Sequence, residues 1–397
     1  MTPPARVRSH PSPARPSARR TAPVHATPAL RLVPRPKLRV VDVALFYGER
    51  SGGIRTYLDA KLDYAVRSGA FEHHLVIPGV KPALRPHAAG AVHVVPGVRV
   101  ARSNGYRWPL GTRRLAALLR ELEPDVVLQH DPFWAPLAGA AAAHAGGARV
   151  VMVHHGSVAL DAAAFRGPLP LYRAALGAWL RHAYKGADTI MSAVDPTVDV
   201  QRAAGLELRF GLDPAFRPRA GVHRGDHVLY AGRLGREKGI FSLLEAAKRS
   251  REPWPLWLMG TGPAERHVAA VVRKLGLTGR VRFLPHLTSR EALARAYQRA
   301  RVVVMPGELE TFGLVAYEAV ASGARAVACT NAPSARLLGE LAHRFEPGDV
   351  DGLLQAIEAA RASEPDLEAA TAFSAAHQWD PVFAHELLDL ELLVGAR

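Results

Sequence analysis

Cysteine is nearly absent from this 397-residue chain: Cys329 stands alone, so no internal disulfide can form, and no Cys-x-x-Cys pair exists to hold zinc or exchange thiols. A reducing compartment is the expectation. No run of 18 or more strongly apolar residues occurs, and the nearest stretch, residues 133–148, is mostly Ala and Gly and carries His144. No membrane-spanning segment is expected. The opening residues lack an apolar core ahead of a cleavage site, which argues against a secretory signal and for a cytoplasmic protein. Acidic residues are missing altogether from residues 1–37, which contain eight Lys and Arg, so about half of the net charge of +15 belongs to that stretch. It is dense in Pro, Ala, Ser and Arg and cannot bury enough apolar surface to offset its chain entropy, so disorder is expected there. A dispensable extension, adhesion to anionic lipid or nucleic acid, and an Arg-rich transit peptide are its three readings. None of them defines the activity of the rest, and no specific nucleic-acid partner is expected.

What is present is the composition of a folded soluble chain. Apolar content of 48% with 22% charged residues excludes disordered, collagenous and polytopic membrane classes, and the length suits two cores of about 150 to 200 residues each.

Periodicity supports an α/β class. LRVVDVALFY is a short apolar run, followed by GERSGG and an amphipathic stretch, IRTYLDAKLDYAVRSG, which reads as strand, glycine loop and helix. Similar units follow at LAALLREL, PDVVLQHD and RVVMVHH. A second series opens at HVLYAGR and continues through FSLLEAAKRS, PLWLMG, VRFLP and VVVMP. Two Rossmann-like parallel-sheet domains are expected, residues 38–209 and 210–375, joined where RFGLDPAFRPR breaks the periodicity. A cleft between them is the natural site.

Four segments could carry chemistry. Gly52-Gly53 follows the first strand and opens a helix, where backbone N–H groups can approach an anion unobstructed, although a plain tight turn has the same signature. AGRLGREKG places Arg233 and Lys238 in a loop at the carboxyl end of a strand, where two cations suit a diphosphate, although a solvated basic turn reads the same way. In MPGELETFGLVAYEAVASG, Glu310 precedes the turn Thr311-Phe312-Gly313, a helix begins near Gly313, and Glu318 falls in its first turns. A helix N-terminus offers unpaired N–H groups to phosphate, and a carboxylate one turn in can accept ribose hydroxyls; a Glu318 that complements the helix dipole and a solvated Glu310 are the alternative. His154 and His155 end a strand, so they point to opposite faces; one can meet the cleft and the other is structural.

Other signals fail. GTGPAE has Glu265 where a dinucleotide loop needs its third glycine, and there is no P-loop, no G-x-S-x-G elbow and no HExxH zinc spacing. The Asp349-Val350-Asp351 run precedes GLLQAIEAARA and reads as a helix start.

Together the segments SGGIRTYL, HHGS, GLDPAFRP, AGRLGREKG, MGTGP, VRFLPHL and ETFGLVAYE resemble the retaining glycosyltransferases of family 4. The resemblance runs from about residue 38 to the C-terminus. It implies the GT-B fold, with an acceptor-side first domain, a nucleotide-sugar-binding second domain, and a helix in residues 376–397 that packs back toward the first. It also implies that Arg233 and Lys238 bind the donor diphosphate and Glu318 the ribose. Glu310, with the amides of Phe312, Gly313 and Leu314, would hold sugar and phosphate. Gly53 would lie beside the same phosphates, Leu287 at the nucleotide base, and His155 at the donor sugar, with Glu310 and His155 as the catalytic residues. Arg325 stands where the family usually has Pro, and RFGLD replaces its usual linker wording.

The implied activity is transfer of a mannose- or glucose-type hexose from a GDP- or UDP-sugar to a lipid-linked or glycan acceptor, without a metal or other cofactor. The PGELETFGL wording is most similar to GDP-mannose-dependent α-mannosyltransferases. The alternatives are a synthase of a soluble disaccharide or sugar phosphate, and a noncatalytic nucleotide-sugar-binding protein. Leu, Tyr and Trp mixed with Arg173, Arg181 and Lys185 over residues 168–186 add peripheral contact with an anionic membrane, at the inner face of the cytoplasmic membrane, as an expectation; an ordinary packed helix reads the same way.

Overall fold

The computed structural model describes residues 37–48, 52–100, 103, 105–156, 158 and 169–395. The disorder expected for residues 1–37 falls, Lys37 apart, outside the described residues, as do Ser51 and Ser157 of the quoted motifs.

Two sheets form. The first has nine strands: β1 (Arg39–Val43), β2 (Glu72–Gly79), β3 (Ala83–His87), β4 (Gly90–Arg99), β5 (Arg107–Pro109), β6 (Val126–Gln129), β7 (Arg149–His154), β8 (Thr189–Ser192) and β9 (Leu206–Glu207). Its order is β3-β4-β2-β1-β6-β7-β8-β9, with β5 on β4. The second has six strands: β10 (Val228–Ala231), β11 (Leu256–Met259), β12 (Val281–Leu284), β13 (Val302–Met305), β14 (Ala326–Cys329) and β15 (Ala342–Phe345). They run β12-β11-β10-β13-β14-β15, every pair parallel. Because helices cover both faces, the inner strands are mostly apolar, with Asp42 of β1 a buried exception; Val40, Val41 and Val43 of β1 have no exposed surface.

The first sheet departs from an all-parallel expectation at one edge, where β3 and β5 pair with β4 antiparallel. Only Ala88 and Ala89 separate β3 from β4, a connection far too short for the crossover that parallel neighbours require.

The Gly53–Ser68 helix buries Tyr57, Leu58, Lys61, Tyr64 and Ala65, a stripe at helical spacing. No side chain caps its N-terminus, so the first N–H groups of the helix stay open toward the loop after β1. The last helix, Trp379–Gly395, lies against it through Trp379, Phe383 and Leu390, all buried, and Arg67 donates to both oxygens of Asp380 at 2.9 and 2.7 Å. The chain end thus returns to the first half. Leu212, in the connection between the sheets, is tied to the same junction by its N–H, 2.7 Å from the His377 carbonyl.

Candidate functional site

All strands of the second sheet are parallel, so the loops that follow them emerge on one edge. The loop after β10 holds Arg233 and Lys238, and the loop after β13 holds Glu310. Across 72 positions of sequence the structure brings the last two together, with Lys238 Nζ 2.8 Å from Glu310 Oε2. Arg233 Nη2 lies 2.5 Å from Glu237 Oε1 and keeps more than a third of its side chain accessible. Both cations are therefore held by carboxylates of their own domain.

Phe312 is buried and packs on Phe210 of the connection, with ring centroids 4.6 Å apart. Gly313 has φ +96°, and a Cβ there would lie 2.4 Å from Ser334 Oγ and 2.7 Å from Met305 Cε. That close approach demands glycine, and it positions the uncapped start of the Leu314–Ala321 helix. Facing it is Gly53 of the first domain, whose absent Cβ would sit 3.5 Å from Leu314 Cδ1. Two uncapped helix starts, one from each domain, meet across the cleft. Such ends carry unpaired N–H groups and the positive pole of the helix dipole, and together they suit an anion.

Glu318 is buried one turn further on. Burial pushes its carboxyl up to about 7, against the lowering effect of Arg290 and of the Tyr297 hydroxyl, which donates to it at 3.1 Å. Arg290 Nη1 is 3.6 Å from Glu318 Oε1, and its Nη2 donates to Thr56 Oγ1 of the first domain at 2.7 Å. Neither Arg290 nor Thr56 stands out in the sequence, since an Arg opening a helix after Ser289 looks like a solvated surface residue. With Leu314, Asp213 and Trp379 these side chains line a cavity of about 670 Å³ between the domains.

Leu287 is not part of that cavity. It borders a separate pocket of about 350 Å³ in the second domain, with Trp257, Met259, Leu284 and Arg295.

On the first sheet, alternation separates the histidine pair. His154 is buried and its Nδ1 is 2.8 Å from the Tyr184 hydroxyl, whereas His155 is half-buried and its Nε2 is 2.7 Å from Nδ1 of His130, the residue after β6. Behind His130 lies a buried polar cluster of Asp42, His73, Lys61, Glu386 and Tyr57. A lone acid inside the apolar strand RVVDV was its signal in the sequence, because a buried carboxylate needs a cation. Asp349, as read, caps a helix, accepting from Gly352 N at 2.8 Å.

Two Rossmann-like domains with a nucleotide-sized cleft at the strand ends define the GT-B class. Sucrose-phosphate synthase from Thermosynechococcus elongatus superposes with a TM-score of 0.70 over 91% of this chain and 100% of that one, at 18% identity. Two family models divide the chain between them: "Glycosyltransferase Family 4" matches residues 51–206, and "Glycosyl transferases group 1" matches residues 216–376. The chain belongs to glycosyltransferase family 4. The GDP-mannose-dependent alpha-mannosyltransferase of Mycolicibacterium smegmatis is 28% identical over 352 residues, 81% of this chain and 88% of that protein. Glycogen synthase of Mycobacterium tuberculosis is 30% identical over 253 residues, a match that spans 60% of each chain.

Proposed function

We propose that this protein is a retaining hexosyltransferase that takes a mannose- or glucose-type sugar from a nucleoside diphosphate donor and passes it to a hydroxyl of a lipid-linked or glycan acceptor. The observation that carries the reading is the meeting of the Gly53 and Leu314 helix starts beside the Lys238–Glu310 pair, which assembles an anion site from both domains. A GDP-sugar is the favoured donor, since the mannosyltransferase match spans most of both chains.

In this reading the donor diphosphate lies against the helix starts and is met by Arg233 and Lys238. As the anomeric C–O bond breaks, negative charge grows on the departing diphosphate, and fixed cations and N–H dipoles in a closed cleft stabilise it more than water does. These groups supply the countercharge, so no metal takes part in the proposal. Glu318 accepts from the ribose hydroxyls, and Glu310, released from Lys238 by the incoming phosphate, turns to the sugar. Arg290, in contact with both domains, holds the cleft closed around the donor and excludes water.

No helix among the described residues is long and apolar enough to cross a membrane. Contact with a lipid acceptor is proposed to be peripheral, supported by Leu171 and Trp179, which stand exposed on the Leu169–Ala183 helix with Arg173 and Arg181.

Thermal stabilisation by a panel of GDP-, UDP- and ADP-sugars, followed by donor hydrolysis with the best ligand, tests the proposal. A shift with one nucleotide class that is lost in Arg233→Ala is expected. No shift with any of them overturns it.

A further inference from the structure

Beyond Pro96, β4 runs past the carboxyl end of its parallel neighbour β2 and pairs with β5 alone. Val98 stands opposite Trp108 and Arg99 opposite Arg107, and the ladder extends through Val100 N to the Tyr106 carbonyl and Leu110 N to the Pro96 carbonyl, both at 2.9 Å. Opposed residues share a face and neighbours alternate, so Val98, Val100, Trp108 and Leu110 lie on one side of this ribbon. All four are exposed, Trp108 and Leu110 with 52% of their surface accessible, whereas Pro109 on the other side is buried. The ribbon thus presents a contiguous apolar face outward, which water alone does not favour.

The charge around it is of one sign. Residues 73–120 contain eight Lys and Arg and no Asp or Glu. Arg99, Arg113 and Arg114 are exposed and, among the described residues, pair with no carboxylate. Arg113 and Arg114 open the Thr112–Leu122 helix, whose first turn holds no acidic residue. Cations at that end oppose the helix dipole, so they weaken the fold and call for an anion from outside it.

A row of contacts joins the ribbon to the Leu169–Ala183 helix. The Tyr106 ring packs on Phe46 with centroids 5.2 Å apart, Phe46 packs on Phe133 at 6.0 Å, and the Trp179 indole donates to the Pro132 carbonyl at 3.0 Å. Phe46 follows β1 and Phe133 follows β6, so ribbon and helix flank the loops at the carboxyl edge of the first sheet.

We infer that the apolar face of the β4–β5 ribbon, with Arg113 and Arg114 beside it, is a docking surface for an anionic lipid bilayer. The inference deepens the reading of a lipid-linked acceptor by assigning the surface that brings the first domain to the membrane. Tryptophan and aliphatic side chains enter the interface while arginines meet the anionic headgroups. A second copy of the chain would set cations against cations, and the neighbouring edge strand β3 carries Arg85 and Pro86, which discourage strand pairing. A nucleic acid would find one aromatic ring to stack on and three aliphatic side chains with nothing to offer a base.

Flotation of the full-length protein with phosphatidylglycerol vesicles and with phosphatidylcholine vesicles tests the inference. The wild type should float with the anionic vesicles only, and less as salt rises. Trp108→Ser with Leu110→Ser should weaken that binding by about tenfold or more, as should Arg113→Glu with Arg114→Glu, while nucleoside diphosphate affinity and Tm stay unchanged. Brominated acyl chains quench tryptophan that enters the bilayer, and the conservative Trp108→Phe should remove a share of that quenching.

Undiminished binding in either paired variant overturns the inference and returns the contact to the Leu169–Ala183 helix or to residues 1–36; quenching unchanged in Trp108→Phe overturns it as well. So does preference for a single-stranded oligonucleotide over vesicles, or a dimer in sedimentation that Trp108→Ser with Leu110→Ser dissolves. If anionic vesicles are ignored while a nucleotide sugar binds, the docking surface falls and the transferase reading stands. If vesicles bind through the ribbon and no nucleotide sugar does, the transferase reading falls alone.

Discussion

Arg290 donates to Thr56 Oγ1 at 2.7 Å while the same guanidinium stands 3.6 Å from Glu318, so one side chain touches both walls of the cleft. Its two contacts differ in kind. The bond to Thr56 sets how closely the domains approach, and the cation beside Glu318 sets the charge of a buried carboxyl that burial has pushed up to about 7.

Removing that cation has a signed consequence. In Arg290→Met the Glu318 carboxyl should rise further, leaving it protonated at neutral pH and a poorer acceptor for ribose hydroxyls. Nucleoside diphosphate affinity should fall about tenfold near pH 7 and recover in part by about pH 8.5, as the carboxyl ionises. Calorimetric titration at several pH values checks this; a pH dependence identical to that of the wild type removes Arg290 from control of Glu318.

The same carboxyl links stability to pH. Its folded value, about 7, lies above its ordinary value of 4.5, so between these limits the folded state binds more protons than the unfolded state. The favourable contribution of the protonated form is complete below pH 4.5 and is lost as pH rises through about 7. Glu318→Gln should therefore gain on the wild type as pH rises, by up to about 3 kcal/mol between acid and alkaline limits. Urea unfolding of both proteins at the two limits measures the difference, and a stability of Glu318→Gln relative to the wild type that does not rise with pH contradicts the shift.

Two glycines separate folding from binding. Gly313→Ala forces a Cβ to within 2.4 Å of Ser334 Oγ at φ +96°, and should cost about 1–3 kcal/mol, seen as a lowered Tm. Gly53→Ala meets Leu314 at an ordinary 3.5 Å, and should leave Tm nearly unchanged while weakening the donor, whose phosphates would approach that backbone. Equal losses of stability in both would mean that Gly53 serves packing alone.

Lys238→Ala should lower kcat by about 100- to 1000-fold, the range for losing one electrostatic stabiliser of a transition state, with little change in Tm because the ion pair is partly exposed. Turnover of the wild type should persist within about twofold in EDTA, since in this reading protein cations supply the countercharge. Activity that collapses on chelation, and returns with a divalent ion, refutes that part.

Much of the architecture is legible in sequence because parallel strands covered on both faces are short apolar runs, and the glycine-rich loops after β1, β10 and β13 punctuate them. The antiparallel edge is not. Residues 80–110 mix Val with Pro, Arg and Gly, so neither periodicity dominates, and pairing there is decided by a two-residue turn. The site divides in the same way. Lys238 and Glu310 stand in loops whose residue types advertise them, and the structure places them 2.8 Å apart. Arg290, Thr56 and His130 acquire meaning only from neighbours 25 to 234 positions away, which no local pattern encodes. Leu287, expected at the base of the donor, lies on a pocket distinct from the one that holds Glu318.

The Trp379–Gly395 helix has a bearing on the order of assembly. Tyr57 and Glu386 are 329 positions apart, yet both belong to the cluster that neutralises Lys61. During synthesis the first half leaves the ribosome with Lys61 facing Asp42 alone and with an apolar stripe of the Gly53–Ser68 helix uncovered. Its completion waits for residues 379–395. Contacts of such separation close late and slowly. Stop codons or proteolytic cuts before residue 379 should therefore leave the first domain, not the second, as the half that chaperones hold and proteases degrade.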